Sequence, residues 1–265
     1  MKSKQKTENK KKEVHLSAII IVKNEEKKLP ECLESIAWMD DIILIDSGST
    51  DNTVEIAKKY KSKIYQITTG SYSDWRNKGL IKATSDWIFY IDADERMTPA
   101  LKKEITEMIE SKQKNFVAYA IPRKNVILGR EFKHGGQWPD YQKRLFKRTA
   151  LKKWSGDLHE QPIINGKLGH MVSPIIHIKH DNLSDMVTKT NKWSHIEAEN
   201  LLQSGHPQMV WWRFIRIMMT EGWIRLIKQK GILDGPEGII YGIYQMWSKF
   251  ISYGKLWELQ ETDSH

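Results

Sequence analysis

The chain has a single cysteine, Cys32, in 265 residues, so an internal disulfide and a cysteine-based zinc site are both excluded. This points to a reducing compartment, and Cys32 itself reads as a small apolar residue on a helix face. A long hydrophobic run is also missing. Residues 1–13 carry six lysines and almost no apolar side chain, and nothing ahead of Leu16 has the character of a signal peptide or membrane anchor. Residues 1–14 are therefore expected to form a disordered basic tail that anionic surfaces attract. Acidic residues are in deficit: 42 Lys and Arg against 33 Asp and Glu give a formal net charge of +9. Such a charge suits anionic lipid, phosphate-bearing substrates or nucleic acid. The cations are scattered or gathered in the tail, and no helix-turn-helix, zinc or RNA-binding signature accompanies them, so nucleic acid is not the expected partner.

The apolar residues, 40% of the chain, exclude wholesale disorder, and their spacing alternates between strand and helix through the first half. Strands are predicted at 16–22, 42–46, 63–67 and 87–91, and helices at 28–38, 53–60 and 74–83. Thr98-Pro99 supplies an N-cap and a first-turn proline for a further helix to about Ser111. A strand follows at 116–122. Alternation of this kind predicts a mixed, mostly parallel α/β sheet flanked by helices. In such sheets ligands sit beyond the carboxyl ends of the strands. Three polar clusters fall there: Lys23-Asn24-Glu25, Asp46-Ser47-Gly48-Ser49-Thr50-Asp51 and Asp92-Ala93-Asp94.

The last of these carries the most chemistry. Trp87 to Ile91 is a continuous apolar run that ends in two carboxylates spaced i, i+2, so both point the same way as the strand gives out. Oxygen ligands in that position suit Mg²⁺ or Mn²⁺, with coordination positions left for the phosphates of a substrate. An acidic strand-to-loop turn is the plainer alternative.

Residues 123–153 are strongly basic, with only Glu131 and Asp140 against ten Lys and Arg, and are expected to be a solvated face or the acceptor side of a cleft. From about His206 the composition changes. Five of the eleven tryptophans, Trp211, Trp212, Trp223, Trp247 and Trp257, are interleaved with arginine and lysine. Charged residues interrupt these stretches before any reaches the ~20 residues needed to cross a bilayer. The expectation is an amphipathic helical region over 206–265 that lies in the headgroup layer, or a helical pair packed in an interface.

With these residues in view, the chain resembles a family 2 glycosyltransferase of the GT-A fold, with residues 15–205 as the catalytic domain. Ile19-Ile20-Ile21-Val22-Lys23-Asn24-Glu25 is similar to the family's opening strand and its N-x-E ending, and Asp46 to Asp51 to its D-x-G-S-T-D loop. Arg76-Asn77-Lys78-Gly79 is similar to its R-N-x-G helix, and Asp92-Ala93-Asp94 to its metal-binding D-x-D. Trp138-Pro139-Asp140, Arg144-Leu145-Phe146, His159-Glu160 and Gly231 to Gly235 resemble the bacterial subgroup that includes lipopolysaccharide inner-core glucosyltransferases.

The resemblance implies a metal-dependent, inverting hexosyltransferase using a nucleoside-diphosphate sugar, a UDP-sugar being expected, and a lipid-linked or lipopolysaccharide-type glycan acceptor. It implies that Asp46 and Ser47 meet the base, that Asn24 and Glu25 lie near the nucleoside, and that Arg76, Asn77 and Arg144 approach the diphosphate. Asp92 and Asp94 would hold ribose and Mg²⁺ or Mn²⁺, and His177 would complete the metal shell or touch the diphosphate. His180 is a weaker copy of that idea. Many members use an E-D pair as general base. None is evident here, so Glu160 with His159 is the expected substitute and Asp157 the reserve. The implied location is cytoplasmic, peripherally attached to the inner face of the cell membrane. Two other classes stay open on sequence. A sugar nucleotidyltransferase would need a glycine-rich basic loop where Asn24-Glu25-Glu26 stands, and a non-enzymatic basic module would rest on charge alone.

Overall fold

The computed structural model describes residues 14–111, 115–156 and 160–262. The expected tail thus lies outside the described residues, apart from Val14. The chain divides into two compact units, one reaching to Ile121 and including Lys143–Ser173, the other comprising Pro122–Gln142 and everything from Pro174.

The first unit follows the alternation read from the sequence in β1 (Leu16–Val22), α1 (Leu29–Ile36), β2 (Asp41–Asp46), α2 (Thr53–Lys59), β3 (Lys63–Gln66), α3 (Tyr72–Lys82), β4 (Trp87–Tyr90) and α4 (Pro99–Glu110), and adds a short unexpected strand, β5 (Glu95–Met97). β1 pairs in parallel with β2 and with β4, and β2 with β3, which brings the carboxyl ends of β1, β2 and β4 to one edge. Thr98 caps α4 through Leu101 N, with Pro99 in the first turn. α3 begins earlier than expected. Ser71 and Asp74 form a reciprocal capping box, with Ser71 N donating to Asp74 Oδ2 at 2.9 Å, so Tyr72 and Ser73 become helical.

Between the strand expected at 116–122 and the C-terminal helices, the sequence shows only one strand-like apolar segment, leading to His177. The chain there contains β6 (Ala118–Ile127), β7 (Arg130–Glu131), β8 (Asp140–Lys147), β9 (Leu151–Ser155), β10 (Gln161–Ile164), β11 (Leu168–His170), β12 (Ile175–His180) and α5 (Leu183–Gln203). β8 runs antiparallel to β4, with Phe89 opposite Leu145, and β9 and β10 form a separate antiparallel pair. Ile19, Ile43, Ile88, Tyr90, Phe146 and Trp154 make the core of this unit. Gly79 lets α3 lie close to the sheet, since a Cβ there would stand 2.5 Å from Ile19 Cγ2. Cys32 is fully buried on α1 as expected, with Sγ 3.5 Å from the carbonyl of Asp92, and burial pushes its thiol pKa well up.

In the second unit, β12 runs parallel to the end of β6, and α5 packs with α6 (Trp211–Gly222) and α7 (Gly235–Thr262). A π-helical turn over Trp223–Lys228 and a short 3₁₀ helix at Gly231–Asp234 join the last two helices. The Gly231 to Gly235 stretch has a structural role. Asp234 is buried and accepts from Lys133 N at 3.1 Å and from His134 N at 2.9 Å. His180 lies against Tyr241 and Tyr244, its Nδ1 3.3 Å from Asp185 Oδ2. Burial, and next the cation of Lys189, push its pKa down to about 4, so the contact with Asp185 is a hydrogen bond from a neutral ring.

The sign of the linkage follows. Between pH 6.5 and about 4 the unfolded chain binds a proton that folded His180 refuses, so this residue costs stability as pH falls through that window. Urea unfolding at stepped pH should show a His180→Phe variant whose stability falls less steeply there, by up to ~1.4 kcal/mol per pH unit. Equal slopes in the two proteins would show that His180 titrates normally.

Candidate active site

The loops after β1 and β2 are laced together. Asn24 has a left-handed backbone, φ 57°, which its short polar side chain tolerates. Its Oδ1 accepts from Thr50 N at 2.8 Å, and its own N–H donates to Ser49 Oγ at 3.0 Å. Glu25 N donates to Thr53 Oγ1, Glu26 N to Asp51 Oδ2, and Asn52 N to Glu26 Oε2. Asp46 is buried: Oδ1 accepts from the N–H and hydroxyl of Ser49, at 3.0 and 2.6 Å, while Oδ2 has no hydrogen-bond partner. A buried acceptor left open calls for explanation, and a ligand donor is one. Ser47 is spent on the end of β1, donating through both N and Oγ to Val22 O.

Beyond β4, Asp92 and Asp94 lie on the open side of the turn and Ala93 is buried between them, as the i, i+2 spacing predicts. Asp92 does not stand apart as a carboxylate. Its Oδ2 accepts a short hydrogen bond from Arg144, and its Oδ1 lies 3.6 Å from Arg76. Arg144 also donates to Glu95 Oε1 at 2.5 Å, and Arg76 Nε to Glu160 Oε1 at 3.1 Å. The result is a run of alternating charge, Glu160, Arg76, Asp92, Arg144, Glu95. Arg144 is buried. Burial opposes its charge, but Asp92 and Glu95 outweigh this and raise its pKa. Arg76 is sandwiched by aromatic rings, 4.6 Å above Trp154 and 5.5 Å from Tyr90.

Three residues of α3 reach the β9–β10 segment: Ser73 bonds Gly156 O, Arg76 bonds Glu160, and Asn77 bonds Trp154. Asn77 holds both the N–H and the C=O of Trp154, at 2.8 and 2.9 Å, so its amide clamps β9 to α3. Asp157 and His159 lie outside the described residues. His177 belongs to the second unit, where its Nδ1 is 2.6 Å from Asn125 Oδ1.

Two contributors escaped the sequence reading. Glu95 is completely buried, and its Oε2 accepts from Asp92 N at 3.1 Å, so it supports the acidic turn from beneath. In sequence it passes for one more acidic turn residue. Tyr72 is 41% exposed at the start of α3, and its hydroxyl pKa is raised by burial and then by the charges of Asp92 and Glu160. Only the Ser71–Asp74 cap signal could have marked it.

Asp92 and Asp94 form an oxygen-only donor pair that fits a hard divalent cation. Two guanidiniums already share Asp92. Among the described residues no group of three or more His, Cys, Asp or Glu side chains could hold a metal, so substrate phosphates and water would fill the shell.

The chain is similar to known glycosyltransferases. The model of the family described as "Glycosyl transferase family 2" matches residues 17–162. The lipopolysaccharide core biosynthesis glycosyltransferase LpsC of Rhizobium meliloti is 26% identical, with 92% of each chain covered. An uncharacterized glycosyltransferase of Rickettsia conorii is also 26% identical, over 92% of this chain and 90% of its own. Among solved structures, S. aureus TarS 1–349 in complex with UDP-GlcNAc superimposes with a TM-score of 0.51 at 14% identity, covering 95% of this chain and 92% of TarS.

The charge run makes a prediction about Glu95. Glu95→Gln leaves Arg144 buried with one carboxylate instead of two, a defect expected to cost on the order of 3 kcal/mol. It should appear as a lower urea midpoint at unchanged slope. A loss below ~1 kcal/mol would mean that Asp92 alone compensates Arg144.

Proposed function

This chain belongs to glycosyl transferase family 2 and has the GT-A fold, and from that premise we propose that it is an inverting, metal-dependent hexosyltransferase. The donor is a nucleoside-diphosphate sugar, most simply a UDP-sugar, and the acceptor a lipid-linked or lipopolysaccharide-type glycan. The observation that carries the reading is the alternating run from Glu160 to Glu95 at the carboxyl ends of β1, β2 and β4: it sets two fixed guanidiniums beside a carboxylate pair suited to a cation. The function in the name of LpsC supports the acceptor class, and the UDP-GlcNAc in the TarS structure supports the donor class.

Each residue has a role in this scheme. Asp46 Oδ2, the open buried acceptor, takes the N–H of a base such as uracil, with Asn24, Glu25 and Ser47 shaping the nucleoside end. Arg76 and Arg144 stabilise the charge that builds on the diphosphate. Asp94, with Asp92, would hold Mg²⁺ or Mn²⁺, which when bound supplies Lewis-acid neutralisation of the leaving group. The acceptor oxygen attacks the anomeric carbon, the bond to the diphosphate oxygen breaks with its electron pair, and the hydroxyl proton passes to Glu160. Arg76 holds Glu160 oriented for that step. His159 and Asp157 flank it in sequence, Asp157 as the reserve base.

The attachment surface is proposed on α6 and the turn after it. Trp211, Ile215, Met219, Trp223 and Ile227 recur every four residues, and each is more than half exposed. Arg213 and Arg216 lie over the Trp212 ring at 5.0 and 5.3 Å. No helix among the described residues is long and apolar enough to cross a membrane. An aromatic stripe beside cations supplies apolar burial and attraction to anionic lipid, which supports peripheral attachment at the inner face of the cell membrane.

Turnover tests the chemistry. With UDP-sugars screened as donors and Mn²⁺ present, EDTA or Asp94→Ala should abolish transfer, while Glu160→Gln should lower kcat by ~10²- to 10⁴-fold with donor affinity little changed. Transfer that survives both EDTA and Asp94→Ala would refute the metal assignment, and an equal loss of donor binding in Glu160→Gln would make that residue a donor ligand.

Flotation tests attachment. Binding to anionic vesicles should fall well over tenfold when Trp211, Trp212 and Trp223 become Ser, since each buried apolar side chain is worth roughly 1.5 kcal/mol or more. Unchanged flotation in the folded triple variant would remove α6 from the membrane surface.

A further inference from the structure

The second unit contains a groove of about 590 Å³ whose walls are Phe214 from α6 and Phe250, Ile251 and Trp257 from α7, with Asn191, Lys255 and Glu258 at its polar rim. Its volume falls within the ~300–1,000 Å³ typical of small-ligand pockets. The floor is Gly254. Glycine is a poor helix former, so one in mid-helix calls for a reason. Close packing supplies that reason at Gly238, where a Cβ would strike Gly231 O, and at Gly242, where it would strike Leu226. At Gly254 it would meet nothing within 4 Å. That glycine keeps space open.

The groove is set into a stripe on α7. Ile243, Trp247, Phe250, Gly254 and Trp257 follow one another at helical spacing, and the four side chains are 37–56% exposed. From Phe250 to Glu258 the groove follows about 12 Å of helix axis. That is close to one leaflet of a bilayer whose hydrocarbon core is ~30 Å thick. A cation edges it: Lys255 Nζ is fixed at the rim by Asn191 O at 2.8 Å and Asn191 Oδ1 at 3.1 Å.

We propose that this groove, floored by Gly254, is a lipid site that takes a single acyl chain of an anionic phospholipid, with the phosphate facing Lys255 at the rim. The proposal rests on the membrane-surface reading above and deepens it. The aromatic face of α6 attaches the protein to the leaflet, and the groove withdraws one chain from it.

The full-length protein is titrated calorimetrically with lauroyl lysophosphatidylglycerol below its micelle concentration, and its flotation on phosphatidylglycerol vesicles is measured in parallel. Wild type should bind one lysolipid per chain, saturably. Gly254→Leu fills the groove with a better helix former, so it should weaken that binding at least tenfold without lowering the melting temperature or the flotation. Trp257→Glu, which sets a charge in the wall of the groove, should do the same and serves if the leucine variant fails to fold. Equal lysolipid binding in wild type and variants, or no saturable binding by a wild type that floats, overturns the proposal. So does sedimentation showing a wild-type dimer that Gly254→Leu dissociates, because a second copy would then cover the groove. Lysolipid binding by a wild type that does not float would sink the membrane reading and leave the groove standing.

Discussion

The site depends on burying two guanidiniums without leaving either charge uncompensated. Taking such ions out of water costs several kcal/mol each, and only carboxylates at hydrogen-bond distance offset it. Arg144 meets this condition through Asp92 and Glu95, and Arg76 through Asp92 and Glu160. Asp92 is the shared member, so the turn after β4 is held from both sides. The arrangement relies on strand register. Leu145 and Phe146, next to Arg144 on β8, pair with Phe89 and Ile88 on β4, and a slip of one residue would turn Arg144 to the other face of the sheet.

The same condition explains why the family motifs have the spacing they do. In Arg76-Asn77-Lys78-Gly79 the arginine reaches the charge run, the asparagine ties down the backbone of Trp154, and the glycine admits Ile19. These are three separate reasons on one helical turn. The loops after β1 and β2 show a similar economy, since Asn24 and Asp51 each accept a backbone N–H from the other loop.

Up to Glu110 the fold was legible because helices and strands there alternate with clean periodicity and the caps are spelled out in Ser/Thr, Asp and Pro. Beyond it several strands are short and half exposed, as in the burial alternation of Gln161–Ile164, and that pattern does not separate from loop. α5 was missed because its apolar residues are spaced among Lys, Asn and Glu with no strong turn signal of their own. At the candidate site, carboxylates at strand ends, such as Asp92, Asp94 and Asp46, could be picked out from position alone. Glu95 could not, since total burial of a carboxylate depends on Arg144 arriving from a strand 49 residues away. Asn77 was read as facing a ligand because nothing in its neighbours announces a backbone partner 77 residues on.

Cys32 bears on experiment. Its thiol is enclosed, points at the carbonyl of Asp92 and is held protonated by its surroundings, while the attacking species in alkylation and maleimide addition is the thiolate. Among native groups it is the only thiol. A cysteine introduced anywhere on the surface is therefore the single addressable sulfur of the folded chain. Spin labels and fluorophores can be attached one position at a time, without first building a cysteine-free background.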